Sequence, residues 1–257
     1  NAAGFMTSTN GVGSKVLHWN TNGNIASAVL IERDGEENDA EYYVYRAGIR
    51  VRKVTERYDA ESKLISKDDK RYLGAYRRTT SKGLGATQRH SITLGGVDQH
   101  DCVIQYQSSV ENHALVGDII YRFQHGNHLN SIGLESNLQQ EIISYEEYSP
   151  FGETVYNYNP VNLDSSKEYR YSAQEKDEST QLYYYGYRYY APWLCRWTRP
   201  DPAGTIDGFN LYAFVGNEPI GRVDMMGLAG GKSHAGKKRS RGRSIPPASK
   251  RKRKKLD

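Results

Sequence analysis

Short stretches that alternate apolar and polar residues recur along most of the chain, separated by Gly, Asn, Asp or Ser. Alternation with a period of two places the two kinds of side chain on opposite faces of a strand. The pattern predicts strands at Ala40–Arg46, Arg50–Arg57, Lys70–Arg78, Arg89–Leu94, Asp101–Gln107, Asp118–Gln124, Glu141–Tyr145, Glu153–Tyr158, Glu168–Ser172 and Leu182–Tyr190.

Helical periodicity is nearly absent. No window carries a sustained apolar stripe with a 3.6-residue repeat, and only Phe209–Val215 is predicted to form a short helical turn. We therefore predict an all-β fold, built as an antiparallel meander.

The aromatic composition refines this prediction. The chain has 21 Tyr but only 5 Phe and 3 Trp. Tyrosine favours strands and keeps a polar tip, so this bias is typical of wide, partly hydrated sheets rather than of a dry compact core.

The net charge of +5 hides two regions of opposite sign. Residues 229–257 contain twelve of the 35 Lys and Arg residues and one of the 30 acidic residues, so the preceding part is net acidic. Two basic clusters lie in this tail: Lys237, Lys238 and Arg239, then Lys250, Arg251, Lys252, Arg253, Lys254 and Lys255. Such clusters are typical of a bipartite nuclear-localisation signal or a nucleic-acid-binding arm, and also of a disordered, solvated extension.

Other chemistry has little support in the sequence. The two cysteines, Cys102 and Cys195, match no metal-binding spacing, and the seven histidines are scattered. No phosphate-binding loop, dinucleotide fingerprint or membrane span is present. We therefore expect no metal and no cofactor. Because the chain begins in mid-pattern at Asn1, we also expect it to be part of a longer protein.

The segment from Gln181 to Leu228 carries the most information. A tyrosine-rich strand leads into Trp-x-x-x-Trp, then into Asp-Pro-x-Gly at Asp201, and Asp-x-x-Gly-Leu follows at Asp224. This segment resembles the core that ends the Rhs (YD-repeat) shell of bacterial toxins, and in particular the C component of insecticidal Tc (ABC) toxin complexes. The segment from Ile142 to Glu153 resembles the lead into that core. Degenerate repeats at Asn20–Asn24, Tyr42–Val54 and Asn127–Gly133 extend the likeness upstream.

The resemblance implies an architecture and a set of partners. Residues 1–140 would be a degenerate repeat sheet, residues 141–228 the Rhs core and residues 229–257 a disordered basic tail or effector remnant. Family members wind such sheets into a hollow β cocoon, of which this chain would be a strip. The expected partners are the upstream shell, the B component and a C-terminal effector, within a secreted toxin complex.

Two acids in one loop, Asp201 and Asp207, are the strongest catalytic candidates. Two neighbouring carboxylates can supply a base and an acid for peptide hydrolysis, since they do not ionise equally. Asp-Pro and Asp-Gly are also ordinary turn dipeptides, so the residues alone favour a turn. The resemblance implies self-cleavage instead, with Asp201 as acid or base, Asp207 as its partner and Arg188 tuning the pair. A structural ion pair is the alternative for Arg188.

The resemblance also places the cut between Leu228 and Ala229. The family motif there reads roughly Asp-Pro-x-Gly-Leu, and Met225 replaces its Pro in this chain. Because Pro would preset the turn, this change puts the efficiency of cleavage in doubt. Two other functions remain open: a purely structural repeat module that does not cleave, and a nuclear or nucleic-acid-binding protein that acts through its tail.

Overall fold

A computed structural model of the chain describes residues 1–9, 15–83, 86–96, 99–111, 114–160, 167–228 and 230–232. The side chains of residues 96, 99, 100, 109–111, 114–116, 207 and 232 are not described. The basic clusters of the tail and Ala229 therefore lie outside the described residues. None of the helical segments in these ranges is long and apolar enough to cross a membrane.

One antiparallel sheet dominates the structure. Its thirteen strands lie in the order of the chain, so each strand pairs with its predecessor and its successor. The strands are β1 (Ser8–Thr9), β2 (Lys15–Trp19), β3 (Ile25–Ile31), β4 (Asp39–Arg46), β5 (Ile49–Tyr58), β6 (Leu64–Leu73), β7 (Tyr76–Lys82), β8 (Thr87–Gly96), β9 (Gln99–Glu111), β10 (Ala114–Gly126), β11 (Ile132–Ser136), β12 (Ile142–Tyr148) and β13 (Thr154–Tyr158). This arrangement confirms the predicted all-β meander.

Three predicted strands were wrong in detail. The segment Lys70–Arg78 contains a hairpin turn at Gly74, since Leu73 pairs with Tyr76. A second predicted strand, Leu182–Tyr190, is divided by a turn at Gly186. The third, Glu168–Ser172, contributes only an isolated bridge at Tyr169 before the chain enters a 3₁₀ turn.

One face of the large sheet is covered and yet carries charged side chains. Arg50, Arg77 and Arg122 are almost fully buried, as are the carboxylates Glu41 and Glu135. Large apolar residues, among them Ile92 and Ile119, are exposed instead. The covered face of this sheet is therefore polar but buried.

A smaller unit formed by residues 167–232 lies against that charged face. It contains a four-stranded sheet and a two-stranded sheet, linked by 3₁₀ turns. The strands are β14 (Glu175–Lys176), β15 (Tyr183–Tyr184), β16 (Tyr189–Ala191), β17 (Arg196–Trp197), β18 (Arg222–Asp224) and β19 (Gly230–Lys232), and the 3₁₀ turns are Tyr171–Ala173, Pro192–Leu194, Thr205–Asp207 and Phe214–Asn217. The helical turn predicted at Phe209–Val215 thus overlaps the last of these turns only at its end.

Buried ion pairs join the small unit to the large sheet. Arg50 contacts Asp177 at 2.6 Å and Glu175 at 2.9 Å. Lys70 contacts Glu175 at 2.6 Å and Glu168 at 2.9 Å. Because each buried charge has an opposite charge beside it, the desolvation cost is offset only while the two parts stay docked.

Two hydrophobic clusters complete the interior. One joins β2, β3 and β4 to the small unit and includes Leu17, Ile25, Tyr43 and Leu182. The other is aromatic and lies mainly within the small unit: Tyr171, Tyr183, Tyr185, Tyr190, Trp197, Phe214 and Val215. Tyr190 and Phe214 stack with ring centroids 4.0 Å apart. The tyrosine-rich segment therefore forms a core rather than an exposed strand.

The proposed domain boundary at residue 140 does not interrupt the large sheet. Strand β11 pairs with β12, and β12 pairs with β13, so residues 142–158 continue the same meander. The small unit begins after residue 160, beyond the gap at residues 161–166.

Candidate functional site

Arg188 lies at the centre of the candidate site. Its side chain is 2% exposed and follows the turn at Gly186 that precedes β16. The guanidinium carbon lies 4.1 Å from the centroid of the Trp197 ring. A cation over an aromatic face is attracted to the ring electrons, so Trp197 helps to stabilise the buried guanidinium group.

Among the described side chains, Asp201 has the carboxylate nearest to this arginine. Nη2 of Arg188 lies 2.8 Å from Oδ2 of Asp201. The other oxygen, Oδ1, accepts a hydrogen bond from the N–H of Ala203 at 2.8 Å. Asp201 thus forms the turn that its sequence predicts and also directs its second oxygen toward Arg188.

Asp224, the first residue of the Asp-x-x-Gly-Leu motif, contacts the same nitrogen of Arg188. Its Oδ2 lies 3.4 Å from Nη2 of Arg188, and its side chain is 3% exposed. Oδ1 accepts hydrogen bonds from the N–H groups of Met226, Gly227 and Leu228. Burial raises the pKa of Asp224 above its ordinary value of 3.8, although Arg188 and these three N–H groups act in the opposite direction.

The loop that ends at Leu228 is held by further contacts. Nε of Arg188 donates a hydrogen bond to the carbonyl of Gly227 at 2.6 Å. The N–H of Tyr187 donates to the carbonyl of Met226 at 3.0 Å. Arg188 and its neighbour Tyr187 therefore hold the backbone just before the Leu228–Ala229 bond.

The remaining predicted site residues have different outcomes. Asp207 ends the 3₁₀ turn Thr205–Asp207, and its side chain is not described. Sequence reasoning named Asp224 only as part of the end motif, whereas the structure places its carboxylate beside Arg188. Both aspartates begin an Asp-x-x-Gly motif, and this repetition was the available signal. In the described part of the chain, no group of three or more His, Cys, Asp or Glu residues is arranged to hold a metal ion.

Comparison with known proteins agrees with this architecture. The chain is 36% identical over 231 residues to toxin subunit YenC1 of Yersinia entomophaga, an alignment that covers 84% of the chain. It is 33% identical over 217 residues to toxin subunit YenC2 of the same organism. No family model matches the chain.

The solved structures point to the same group. The crystal structure of TcdB2-TccC3 superposes with a TM-score of 0.74 at 34% identity and covers 83% of the chain. This chain is a homologue of the Rhs-type C components of Tc toxins. A second Tc structure, the holotoxin pore of Photorhabdus luminescens with a mutated TccC3, superposes with a TM-score of 0.77 at 33% identity and covers 89% of the chain.

The Tc homologue described here is short beside these relatives. It spans 22% of the length of YenC1 and YenC2, and 10% of the chains in the two Tc structures. The likeness thus covers most of this chain and a minor part of each relative. The Rhs-type fold predicted from the sequence is confirmed.

Proposed function

We propose that this chain is the part of a Tc-like toxin shell that cuts itself between Leu228 and Ala229. The observation that carries the proposal is the position of Arg188. One guanidinium contacts Asp201 and Asp224 and also holds the carbonyl of Gly227, one residue before the bond. Arg188, Asp201 and Asp224 lie together in a buried site. Hydrolysis by two carboxylates requires such a neighbouring pair of acids.

The chemistry needs one ionised and one protonated carboxyl group. Asp201, closest to Arg188, accepts a proton from a water molecule as the water oxygen bonds to the carbonyl carbon of Leu228. Asp224, whose pKa burial raises, donates its proton to the nitrogen of Ala229 as the C–N bond breaks. The products are a carboxyl group on Leu228 and an amine on Ala229, and no cofactor is consumed.

We assign the role of second carboxyl group to Asp224, whose side chain lies beside Arg188, and Asp207 stays the alternative that the resemblance implies. The two roles assigned to Asp224 act together, because Oδ1 holds the loop from Met226 to Leu228 while Oδ2 faces Arg188. A carboxylate that holds the loop before the bond is well placed to act on it.

The wider function extends the same proposal. The sheet forms a section of wall that completes a longer upstream shell, and the chain after residue 228 is, or leads into, the cargo. The partners are the upstream shell and a B component, in a complex that acts outside the producing cell. Similarity over most of this chain to toxin subunits and to Tc assemblies supports this proposal.

Intact mass under denaturing conditions tests self-cleavage directly, because it also detects a tail that stays associated in native buffer. We expect two species that meet at Leu228 and Ala229. Asp201→Asn and Asp224→Asn should each slow cleavage by about 100-fold or more, the usual contribution of one acid or base. Asp207→Asn tests the partner expected from the resemblance. Asp59→Asn, which removes a turn-forming carboxylate between β5 and β6, is the matched control and should cleave at the wild-type rate.

A single uncut mass for the wild-type chain would refute self-cleavage and favour the structural-module alternative. Normal cleavage by Asp224→Asn together with loss of cleavage in Asp207→Asn would restore the partner expected from the resemblance. The second candidate function, binding of nucleic acid or a nuclear import receptor, rests only on the basic clusters of the tail.

A further inference from the structure

Arg199 connects the candidate site to the hairpin formed by β2 and β3 of the large sheet. It lies two residues before Asp201, and 8% of its surface is exposed. Nη1 donates hydrogen bonds to the carbonyls of Gly23 at 2.5 Å and Asn22 at 3.3 Å, in the turn between β2 and β3. Nη2 donates to the carbonyl of Tyr187 at 2.7 Å. One planar side chain therefore joins that turn to the residue before Arg188.

The contacts continue from Tyr187 to the loop that precedes the proposed cut. The N–H of Tyr187 holds the carbonyl of Met226, and Arg188 holds the carbonyl of Gly227. A displacement of the Asn22–Gly23 turn would thus be transmitted through Arg199 to Tyr187 and Arg188. Each link is a hydrogen bond to backbone, so the path does not depend on flexible side chains other than the two arginines.

Burying the guanidinium of Arg199 costs more free energy than filling the same space with an apolar side chain. Among the described residues, no carboxylate lies within ion-pair distance of it, and its Nε has no hydrogen-bond partner. Burial and the neighbouring Arg188 lower the pKa of Arg199 more than Tyr45 and Asp201 raise it. A buried cation that no carboxylate contacts directly lowers stability relative to an apolar residue of similar size, so packing alone does not account for it.

We propose that Arg199 is a positioning residue that makes self-cleavage depend on docking of the turn between β2 and β3. This inference rests on the proposed self-cleavage. In a chain whose β2–β3 hairpin is not docked, Arg199 loses the carbonyls of Asn22 and Gly23 and no longer orients Tyr187 and Arg188. The bond after Leu228 is then cut only once the wall section has closed on the small unit.

Gly23→Ala tests the connection at the turn between β2 and β3, at the opposite end from the proposed cut. The residue has φ +73, and a Cβ there would overlap Nη1 of Arg199. Gly35→Ala is the matched control, since Gly35 has φ +75 and a Cβ there meets nothing within 4 Å. Both variants carry the same backbone strain, but only Gly23→Ala disturbs Arg199. We expect Gly23→Ala to cleave about tenfold or more slowly than Gly35→Ala, because small displacements of a reacting group cost rate steeply.

Substitutions of Arg199 itself provide the second measurement. Cleavage of freshly synthesised chain is followed over time by mass, and thermal unfolding is recorded for each variant. Arg199→Met should cleave slowly without a matching loss of stability, and Arg199→Lys, which keeps the charge and one carbonyl contact, should restore part of the rate. A merely structural role predicts that rate follows stability in all variants.

The outcomes separate the inference from the function on which it rests. A wild-type chain that stays uncut overturns the proposed self-cleavage and this inference with it. A wild-type chain that is cut, together with equal rates for Gly23→Ala and Gly35→Ala and a normal rate for Arg199→Met, overturns this inference alone.

Discussion

Oδ2 of Asp224 lies 3.4 Å from Nη2 of Arg188, although 36 residues separate the two in the sequence. This contact places a second carboxylate at the guanidinium that also binds Asp201. The two acids differ in environment. Asp201 has the shorter contact with the cation, and Asp224 has its pKa raised by burial. Such a difference is what separates an acid from a base.

The first prediction concerns the pH dependence of cleavage. If Asp224 donates a proton, the rate falls as pH rises above its raised pKa, since the acid form is then lost. Initial rates measured by intact mass across an acidic to neutral series check this. The slow residual cleavage of Asp224→Asn should lack that decline. A wild-type rate that climbs steadily toward neutral pH would remove Asp224 from the role of acid.

The second prediction concerns stability in acid. Burial opposes ionisation of Glu168, but Lys70 and Arg77 outweigh it and lower the pKa from its ordinary value of 4.5 to about 2. The pKa of Glu175 is lowered in the same sense, chiefly by Lys70 and Arg50 against the effect of burial. Since both folded pKa values are depressed, their stabilisation is complete above pH about 4.5 and is lost as pH falls toward about 2.

Urea unfolding over that pH range measures this loss. In Glu168→Gln one titrating group is removed, so the midpoint should start lower and should fall less steeply with acid than in the wild-type chain. Identical slopes for both proteins would show that Glu168 does not contribute.

The third prediction compares two arginines of β5. Arg50 is buried between Asp177 and Glu175, whereas the side chain of Arg52 is 40% exposed and pairs with Asp69 at 2.8 Å. Arg50→Met leaves the buried carboxylates Asp177 and Glu175 with one cation fewer, although Lys53 and Lys70 still contact them. It should therefore lower the free energy of unfolding by up to about 3–5 kcal/mol. Arg52→Met should cost about 0–1 kcal/mol because water screens its pair. Equal losses in urea unfolding would show that the small unit does not rely on these charges for docking.

The fourth prediction concerns the basic tail. Each Lys or Arg that contacts a phosphate releases a counterion from the nucleic acid. Binding through the tail should therefore weaken steeply as the salt concentration rises and should not depend on the nucleotide sequence. In the Asp201→Asn variant, in which the tail should stay attached, we expect retention on heparin or DNA at low salt, elution as salt rises, and loss of retention when residues 229–257 are deleted. Unchanged retention of the deleted chain would assign the binding to the body instead.

Strands were predicted best from the sequence where one face is buried and the other is exposed to solvent. Period-two alternation found segments such as Ala40–Arg46, which lies within β4. It failed at Lys70–Arg78 because the Gly74 turn interrupts neither the charge pattern nor the aromatic pattern. It failed again at Leu182–Tyr190, where tyrosines pack on one another around the Gly186 turn and leave no polar face to mark it.

The candidate site was predictable only in part. Motif and family likeness pointed to Asp201 and Arg188, and the structure brings these two side chains into contact. The place of Asp224 depends on how the loop from Asp224 to Leu228 folds back on Arg188, which is a tertiary contact. Arg199 had no signal in the sequence, because its partners are backbone carbonyls that any residue would supply.

The strict order of the thirteen strands in the described part of the chain has a consequence for how a sheet of this kind can vary in length. Each strand is bonded only to its neighbours along the chain, so inserting or deleting one hairpin leaves every other strand pair in register. The sheet can therefore lengthen or shorten in steps of two strands at low thermodynamic cost. The strands that carry Arg50, Lys70 and Arg77 cannot be deleted or displaced in this way. Their charges form ion pairs with Glu168, Glu175 and Asp177 of the small unit.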